Sequence, residues 1–242
     1  MLLIDAGNSR IKSGFWDGTS IASMATVETD TSASPDDWQR CGRPLRVLVS
    51  NVAGDEVARK LTAWVKATWS LEPTFVGVRR DAAGVVTQYE NPEQLGVDRW
   101  LAALAAYKIA AGAVAVIDAG TALTVDIVDR HGRHLGGSIS PGVALMVASL
   151  TRNTARLSLD SIEHTDSVAT NTATAISMGC IDAVAGGIDK MRQKVRARLA
   201  AEPLWIITGG EAPIIMDISP VEFRHVPDLV LRGLVLVAND PS

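Results

Sequence analysis

The sequence predicts a mixed α/β protein built as two related halves. Three observations carry that expectation. The tetrapeptide Ile-Asp-Ala-Gly occurs at residues 4–7 and again at 117–120, each time at the end of an apolar run and ahead of alternating residues. Apolar positions with strand spacing alternate with apolar positions at helix spacing along the chain. A third glycine turn, Thr208-Gly209-Gly210, follows a short apolar run in the second half. One copy of a motif per half indicates two related domains, because a solenoid would repeat every 20–50 residues or so. The boundary is expected at Gly112, giving domains 1–112 and 113–242.

Taken in order, Leu2, Leu3 and Ile4 form a strand that delivers Asp5 to its tip, Gly7 permits a tight turn, and residues 11–16 resume an extended pattern. Residues 28–44 are rich in Ser, Thr, Asp and Pro and read as a surface connection, with a short helix starting at Ser34-Pro35. Residues 45–49 read as a strand. Residues 55–69 place Val57, Leu61, Trp64, Val65 and Thr68 on one helical face. Phe75, Val76 and Val78 suggest another strand, and residues 98–111 a helix that stops at Gly112.

In the second half, Val114, Val116 and Ile117 carry Asp118 to a second turn, and residues 125–128 extend the hairpin. The stretch GGSISPG (136–142) is expected to lead into a helix over 143–156. A long helix over 172–200, a strand over 204–207 and a closing helix over 229–238 complete the pattern.

Composition narrows the class. The chain has 242 residues, of which 47% are hydrophobic, enough for a substantial core. A net charge of -4 argues against nucleic-acid binding, and the basic groups Arg40/Arg43/Arg46, Arg79-Arg80 and 192–198 read as solvated faces. Cys41 and Cys180 are far apart, so neither a disulfide framework nor a zinc site is indicated, and a reducing cytoplasm fits best. Asp5 interrupts any signal-like apolar stretch. Residues 100–117 are apolar but carry Lys108 and Gly112, and read as a buried helix and strand rather than a membrane span.

No GxxxxGK[ST], HExxH or GxSxG motif occurs, and no GxGxxG lies between a strand and a helix. His131 and His134 flank a charged turn and read as a surface hairpin tip. The acidic turns remain. A turn after a strand presents backbone N–H groups and a hydroxyl (Ser9, Thr121) to a phosphate. A carboxylate beside a phosphate is stable only with a cation between them, so Asp5 and Asp118 read as holders of a cation or of its water.

The ordered set DAGNSRIK (5–12), GVDRW (96–100), DAGTALTVD (118–126), GGSISPG (136–142), NTATAISMG (171–179) and ITGG (207–210) resembles the type III pantothenate kinases. These belong to the superfamily of acetate and sugar kinases, Hsp70 and actin. The resemblance implies two duplicated ribonuclease H-like, actin-like ATPase domains, with mixed sheets and helices on both faces. The first would hold one phosphate turn and the substrate segment, the second the other phosphate turn and an adenosine-side glycine motif. It implies ATP-dependent phosphorylation of pantothenate, using Mg2+ with ATP and a monovalent cation, K+ or NH4+, in a homodimer.

By the same resemblance, Asp5, Ala6, Gly7, Asn8, Ser9, Arg10, Ile11 and Lys12 form the first phosphate-binding turn, with Ser9 where threonine is frequent. Thr121 contacts ATP and Asp118 holds the monovalent cation. Tyr89, Gly96, Val97, Asp98 and Arg99 fall on the pantothenate-binding stretch, and Thr172 on a further substrate contact. Asp98, at a helix start that favours its ionised form, is suited to accept a proton from the attacking hydroxyl. Arg99 has the planar fork that grips a carboxylate. The same residues admit blander roles: Asp98 or Thr172 as a helix cap, Lys12 as a strand-edge lysine. Another small-molecule kinase of the superfamily and a non-catalytic regulatory protein also stay open.

Overall fold

The computed structural model describes residues 1–31, 34–40, 42–152 and 167–240. By internal contacts the chain divides into one unit of residues 1–112, 128–136 and 228–242, and another of residues 113–127 and 137–227.

In chain order the first unit forms β1 (Leu2–Ala6), β2 (Arg10–Trp16), β3 (Ile21–Glu28), α1 (Asp37–Arg40), β4 (Val47–Asn51), α2 (Asp55–Trp69), β5 (Thr74–Phe75), β6 (Asp81–Ala82), β7 (Val85–Thr87) and α3 (Val97–Ala110). Its main sheet has the order β3-β2-β1-β4-β5. β1 to β3 form an antiparallel meander, and β4 and β5 run parallel to β1. The second unit forms β8 (Val114–Ala119), β9 (Ala122–Val128), β10 (Arg133–Pro141), α4 (Val143–Thr151), α5 (Thr172–Leu199), β11 (Leu204–Thr208), α6 (Ala212–Ile218) and β12 (Arg224–His225). α7 (Leu229–Asn239) then returns to the first unit. In the second unit, neighbouring strands follow β10-β9-β8-β11-β12, with β11 parallel to both β8 and β12. That repeats the strand order of the first sheet, so the duplicated tetrapeptide reflects a duplicated topology. The first residues of β10 belong to the first unit, where Arg133 and His134 pair with Val86 and Thr87 of β7.

The period of two in β1 decides what each sheet face does. Leu2, Ile4 and Ala6 join Val47 and Val49 in a core closed by Val57, Leu61, Val65 and Trp69 of α2. Trp38 seals this layer. It stacks on Trp69 at 5.7 Å and donates its indole N–H to Ser13 Oγ at 3.0 Å. On the opposite face α7 packs against β1 and β4, and α3 against α7. At Gly233 a Cβ would collide with the backbone of Leu101, so only glycine lets the two helices approach this closely. α3 is consequently buried around most of its circumference, which explains its alanine-rich, nearly unbroken apolar sequence.

The helix expected over 55–69 coincides with α2, and the long helices and β11 fall where the periodicities place them. GGSISPG leads into a helix at Val143 as expected, and is itself the end of strand β10 together with the residue that caps α4. At Gly137 a Cβ would overlap the carbonyl of Val125, so strand pairing explains the missing side chain. The part of the helix expected beyond residue 152 lies outside the described residues. None of the helices among the described residues is long and apolar enough to cross a membrane.

Candidate active site

The first acidic turn joins β1 to β2. Gly7 donates its N–H to Arg10 O at 3.0 Å, and Asn8, Ser9 and Arg10 are exposed at the tip. Asp5 pairs in register with Lys12 on one side and with Ser50 of β4 on the other. Registered residues share a face, so the carboxylate and ammonium leave the sheet on the side opposite Ile4 and Ala6. Ala6 and Ile11 turn their side chains into the core, which limits their part in any phosphate contact to the main chain. Arg10 lies 3.8 Å from Glu28 across the meander, both well exposed. Thr29 braces the turn from outside, donating its hydroxyl to Gly7 O at 2.7 Å and its N–H to Ser9 O at 3.0 Å.

The stretch from Tyr89 to Arg99 assembles around the start of α3. Gly96 is the N-cap, with Val97 and Asp98 in the first turn. Asp98 Oδ1 accepts the N–H of Arg99 at 2.7 Å. The carboxylate folds back over Gly96, where a Cβ would lie 2.6 Å from Oδ1. The glycine therefore clears the space the acid occupies, and Val97 is buried beside it. Arg99 is 93% buried from solvent by its 7% exposure, an arrangement that demands polar partners. Its Nη1 donates to Tyr89 Oη at 3.2 Å, and its guanidinium carbon sits 6.0 Å from the centre of the tyrosine ring.

Residues outside the sequence motif hold Tyr89. Arg80 donates to the carbonyls of Tyr89 at 2.6 Å, Glu90 at 3.0 Å and Thr87 at 3.3 Å, so it clamps the segment while its side chain stays on the exposed face. Arg79 likewise has a specific partner, Asp240 at 2.9 Å. His131 is exposed, as a hairpin tip would be, but His134 is fully buried and stacked on Tyr89 at 5.8 Å. The reading of His134 is corrected, and these pairings share a feature. The partners lie up to 161 residues away, where no local pattern registers them.

The second acidic turn joins β8 to β9. Asp118 pairs in register with Thr208 of β11, and Thr121 is exposed at the tip. Two glycine turns close on it. Gly142 donates its N–H to Thr121 O at 2.9 Å, and a Cβ there would strike Gly120 O. Gly209, at φ +96°, lies where a Cβ would overlap the backbone of Ala119. Glu211 ties them together by accepting the N–H groups of Val143 and Ala144 at 2.9 Å each. Its own N–H goes to Ala119 O at 2.8 Å. Thr172 is the exposed first residue of α5. The cap is not Thr172 but its neighbour Asn171, whose Oδ1 accepts the N–H of Thr174 at 2.9 Å.

Each turn presents carboxylate, carbonyl and hydroxyl oxygens, the hard donors that suit Mg2+ or K+. Among the described residues no group of three or more His, Cys, Asp or Glu side chains gathers to form a metal cage. A single carboxylate per turn fits a magnesium ion that keeps most of its ligands as water and phosphate oxygen.

The sequence profile of the family described as type III pantothenate kinase matches residues 1–194. A type III pantothenate kinase of Nitrosococcus oceani is 36% identical over 253 residues, covering 100% of this chain and 95% of its own. That of Aromatoleum aromaticum is 37% identical over 243 residues, covering 100% and 99%. Among solved structures, a conserved Campylobacter jejuni protein assigned to the Baf family of transcriptional activators superposes with a TM-score of 0.62. At 23% identity, covering 98% of this chain and 96% of that one, it shares the fold. The family profile over residues 1–194 and full-length identity above one third place the chain in the type III pantothenate kinase family.

Proposed function

We propose specific roles for the residues of the two turns and of the α3 segment in the reaction that family membership gives this chain. That reaction is ATP-dependent phosphorylation of pantothenate, the first step of coenzyme A biosynthesis. The N-terminal half of the sequence, residues 1–112, carries the phosphate turn 5–12 and the substrate segment. The C-terminal half, 113–242, carries Asp118, Thr121 and the glycine motif at 208–210 on the adenosine side.

The carrying observation is the pairing of Asp98, folded over Gly96 at the head of α3, with the adjacent Arg99–Tyr89 contact. Asp98 accepts a hydrogen bond from the primary hydroxyl of pantothenate and orients its oxygen. As the O–P bond to the γ-phosphorus forms and the bond to the leaving ADP breaks, the hydroxyl proton passes to the Asp98 carboxylate. Phosphoryl transfer has a loose transition state, so the transfer needs orientation more than strong basicity and the proton moves late. The dipole of α3 keeps the carboxylate ionised. Arg99 and Tyr89 hold the carboxylate end of pantothenate, with Gly96 and Val97 supplying main chain and Thr172 a further contact.

On the nucleotide side, the exposed main chain of residues 8–10 at the tip of the turn and the hydroxyl of Ser9 face the phosphates. Lys12 adds its charge beside Asp5, and Thr121 contributes its hydroxyl. Asp5 would hold Mg2+ through its water ligands, and the ion would supply charge neutralisation for the triphosphate. Asp118 holds a monovalent cation, K+ or NH4+. The exposed apolar side chains Leu145 and Leu150 of α4 support a homodimer, in which a second copy covers them. The spacing of the two cysteines supports a cytoplasmic setting.

ATP consumption measured with pantothenate and with a panel of sugars tests the substrate. Turnover with pantothenate alone is the expected result, and turnover with a sugar but not pantothenate would overturn the reading.

A further inference from the structure

His134 carries no role in the family motifs, yet it occupies a specific place in the first unit. Its side chain is fully buried. The ring stacks on Tyr89 with centroids 5.8 Å apart and planes 18° from parallel, and it meets Trp100 edge-on at 6.3 Å. Nδ1 lies 3.1 Å from Thr87 Oγ1, and that same hydroxyl accepts the backbone N–H of Tyr89 at 3.2 Å. The backbone repeats the link. His134 pairs with Thr87 in the parallel β10–β7 ladder, and Gln88 donates its N–H to His134 O at 2.9 Å.

Tyr89 is therefore fixed at three points. Its ring is backed by imidazole, its main chain is tied through Thr87, and its hydroxyl is met by Arg99 Nη1 at 3.2 Å. Only the first two come from the His134 side, and both precede any ligand. A tyrosine held this way presents its hydroxyl without first losing rotamer freedom, which is the part of the cost of binding that preorganisation removes. Trp100 follows Arg99 directly on α3, so the ring of His134 also spans from the tyrosine to the helix that carries Asp98 and Arg99.

We propose that His134 is a positioning residue for the vitamin substrate, holding Tyr89 so that its hydroxyl and the Arg99 guanidinium converge on one carboxylate. This rests on the assignment of Tyr89 and Arg99 to pantothenate binding. His134 touches neither reacting atom, so its influence falls on substrate affinity and not on the transfer step.

Steady-state kinetics of the full chain tests it. His134→Ala is expected to raise KM for pantothenate roughly tenfold, with kcat and KM for ATP changed by less than about twofold. His134→Phe keeps a flat ring against Tyr89 and is expected to recover most of the lost affinity. His134→Leu, which fills the volume without a flat face, is not, and this pair decides the matter should the alanine variant fail to fold. In a Tyr89→Ala background, His134→Phe and His134→Leu should have the same KM for pantothenate, because the residue acts through the tyrosine. Unchanged KM in both His134→Ala and His134→Leu, or a fall in kcat with KM intact, would overturn the proposal. So would a Phe–Leu difference that persists without Tyr89. Wild-type protein that does not phosphorylate pantothenate would instead overturn the substrate reading itself.

Discussion

Glu211 accepts the backbone N–H of Val143 across 68 residues of chain, at 2.9 Å, while its other carboxylate oxygen takes the N–H of Ala144. The first turn of α4 thus receives two charge-assisted hydrogen bonds from a residue beside the Gly209-Gly210 turn. The residue preceding α4, Gly142, donates in turn to Thr121 O. The Glu211 carboxylate thus holds the start of α4 and complements the positive end of its dipole, while the backbone N–H of Glu211 binds Ala119 O beside the second acidic turn.

Replacing that carboxylate should loosen the second phosphate turn. Glu211→Gln turns an amide NH2 toward a backbone donor and is expected to cost about 1–3 kcal/mol of stability. It should raise KM for ATP more than KM for pantothenate. Denaturant unfolding together with the two Michaelis constants checks this, and equal effects on both substrates would contradict a local role.

Asp98→Asn retains the side-chain volume over Gly96 but cannot take the hydroxyl proton. Turnover is expected to fall at least about a hundredfold, the usual size of a general-base contribution, with ATP binding intact by calorimetry. Near-normal turnover would make Asp98 a helix-start residue only.

Exchange of K+ for Na+ is expected to lower kcat in the wild type. Asp118→Asn should have low activity in both salts, so the ratio between them approaches one. A rate indifferent to the cation in the wild type would remove Asp118 from such a site.

Far from the turns, Glu202 joins Arg192 at 3.0 Å, Arg196 at 2.9 Å and the Trp205 indole at 2.9 Å. Burial alone would raise its carboxyl. The hydrogen bonds from Trp205 and Arg192, with the charges of Arg192 and Arg196, outweigh this and hold it below the ordinary value of 4.5. A group depressed in the folded state stabilises the protein above its unfolded value, and that contribution is lost as pH falls through the folded value. Glu202→Gln should therefore be less stable than wild type at pH 7 (about neutral), with the gap closing once pH drops below 4.5. A gap independent of pH, measured by urea midpoints, would exclude an ionic contribution.

The proposed dimer is tested by a single charge. Leu145 is 40% exposed on α4, and Leu145→Glu is expected to weaken self-association without altering the fold. Sedimentation at several concentrations reads the change, and an unaltered dimer would place the interface elsewhere.

Much of the architecture was legible in local patterns. α2 is readable because Val57, Leu61 and Val65 recur at helical spacing, and β1 and β8 because short apolar runs end in an acidic glycine turn. The positions of Asp5, Lys12, Asp98 and Thr121 at turns or helix starts follow from the same local signals. The roles of Arg80, His134, Thr29 and Glu211 do not. An arginine beside another arginine reads as surface, and a histidine near a charged turn reads as a hairpin tip. What distinguishes them is a partner brought near by strand pairing or helix docking.

By itself, the sequence determined which segments become strands and helices, where the chain must turn sharply, and that the pattern occurs twice, because backbone propensity and apolar period are properties of neighbouring residues. Only the tertiary structure decided that α7 closes the first unit, that His134 backs Tyr89 and that Glu211 ties the start of α4 to Ala119 beside the second acidic turn. Those relationships link residues 45 or more positions apart, and they come into being only when burial of the apolar faces brings such residues within hydrogen-bonding range.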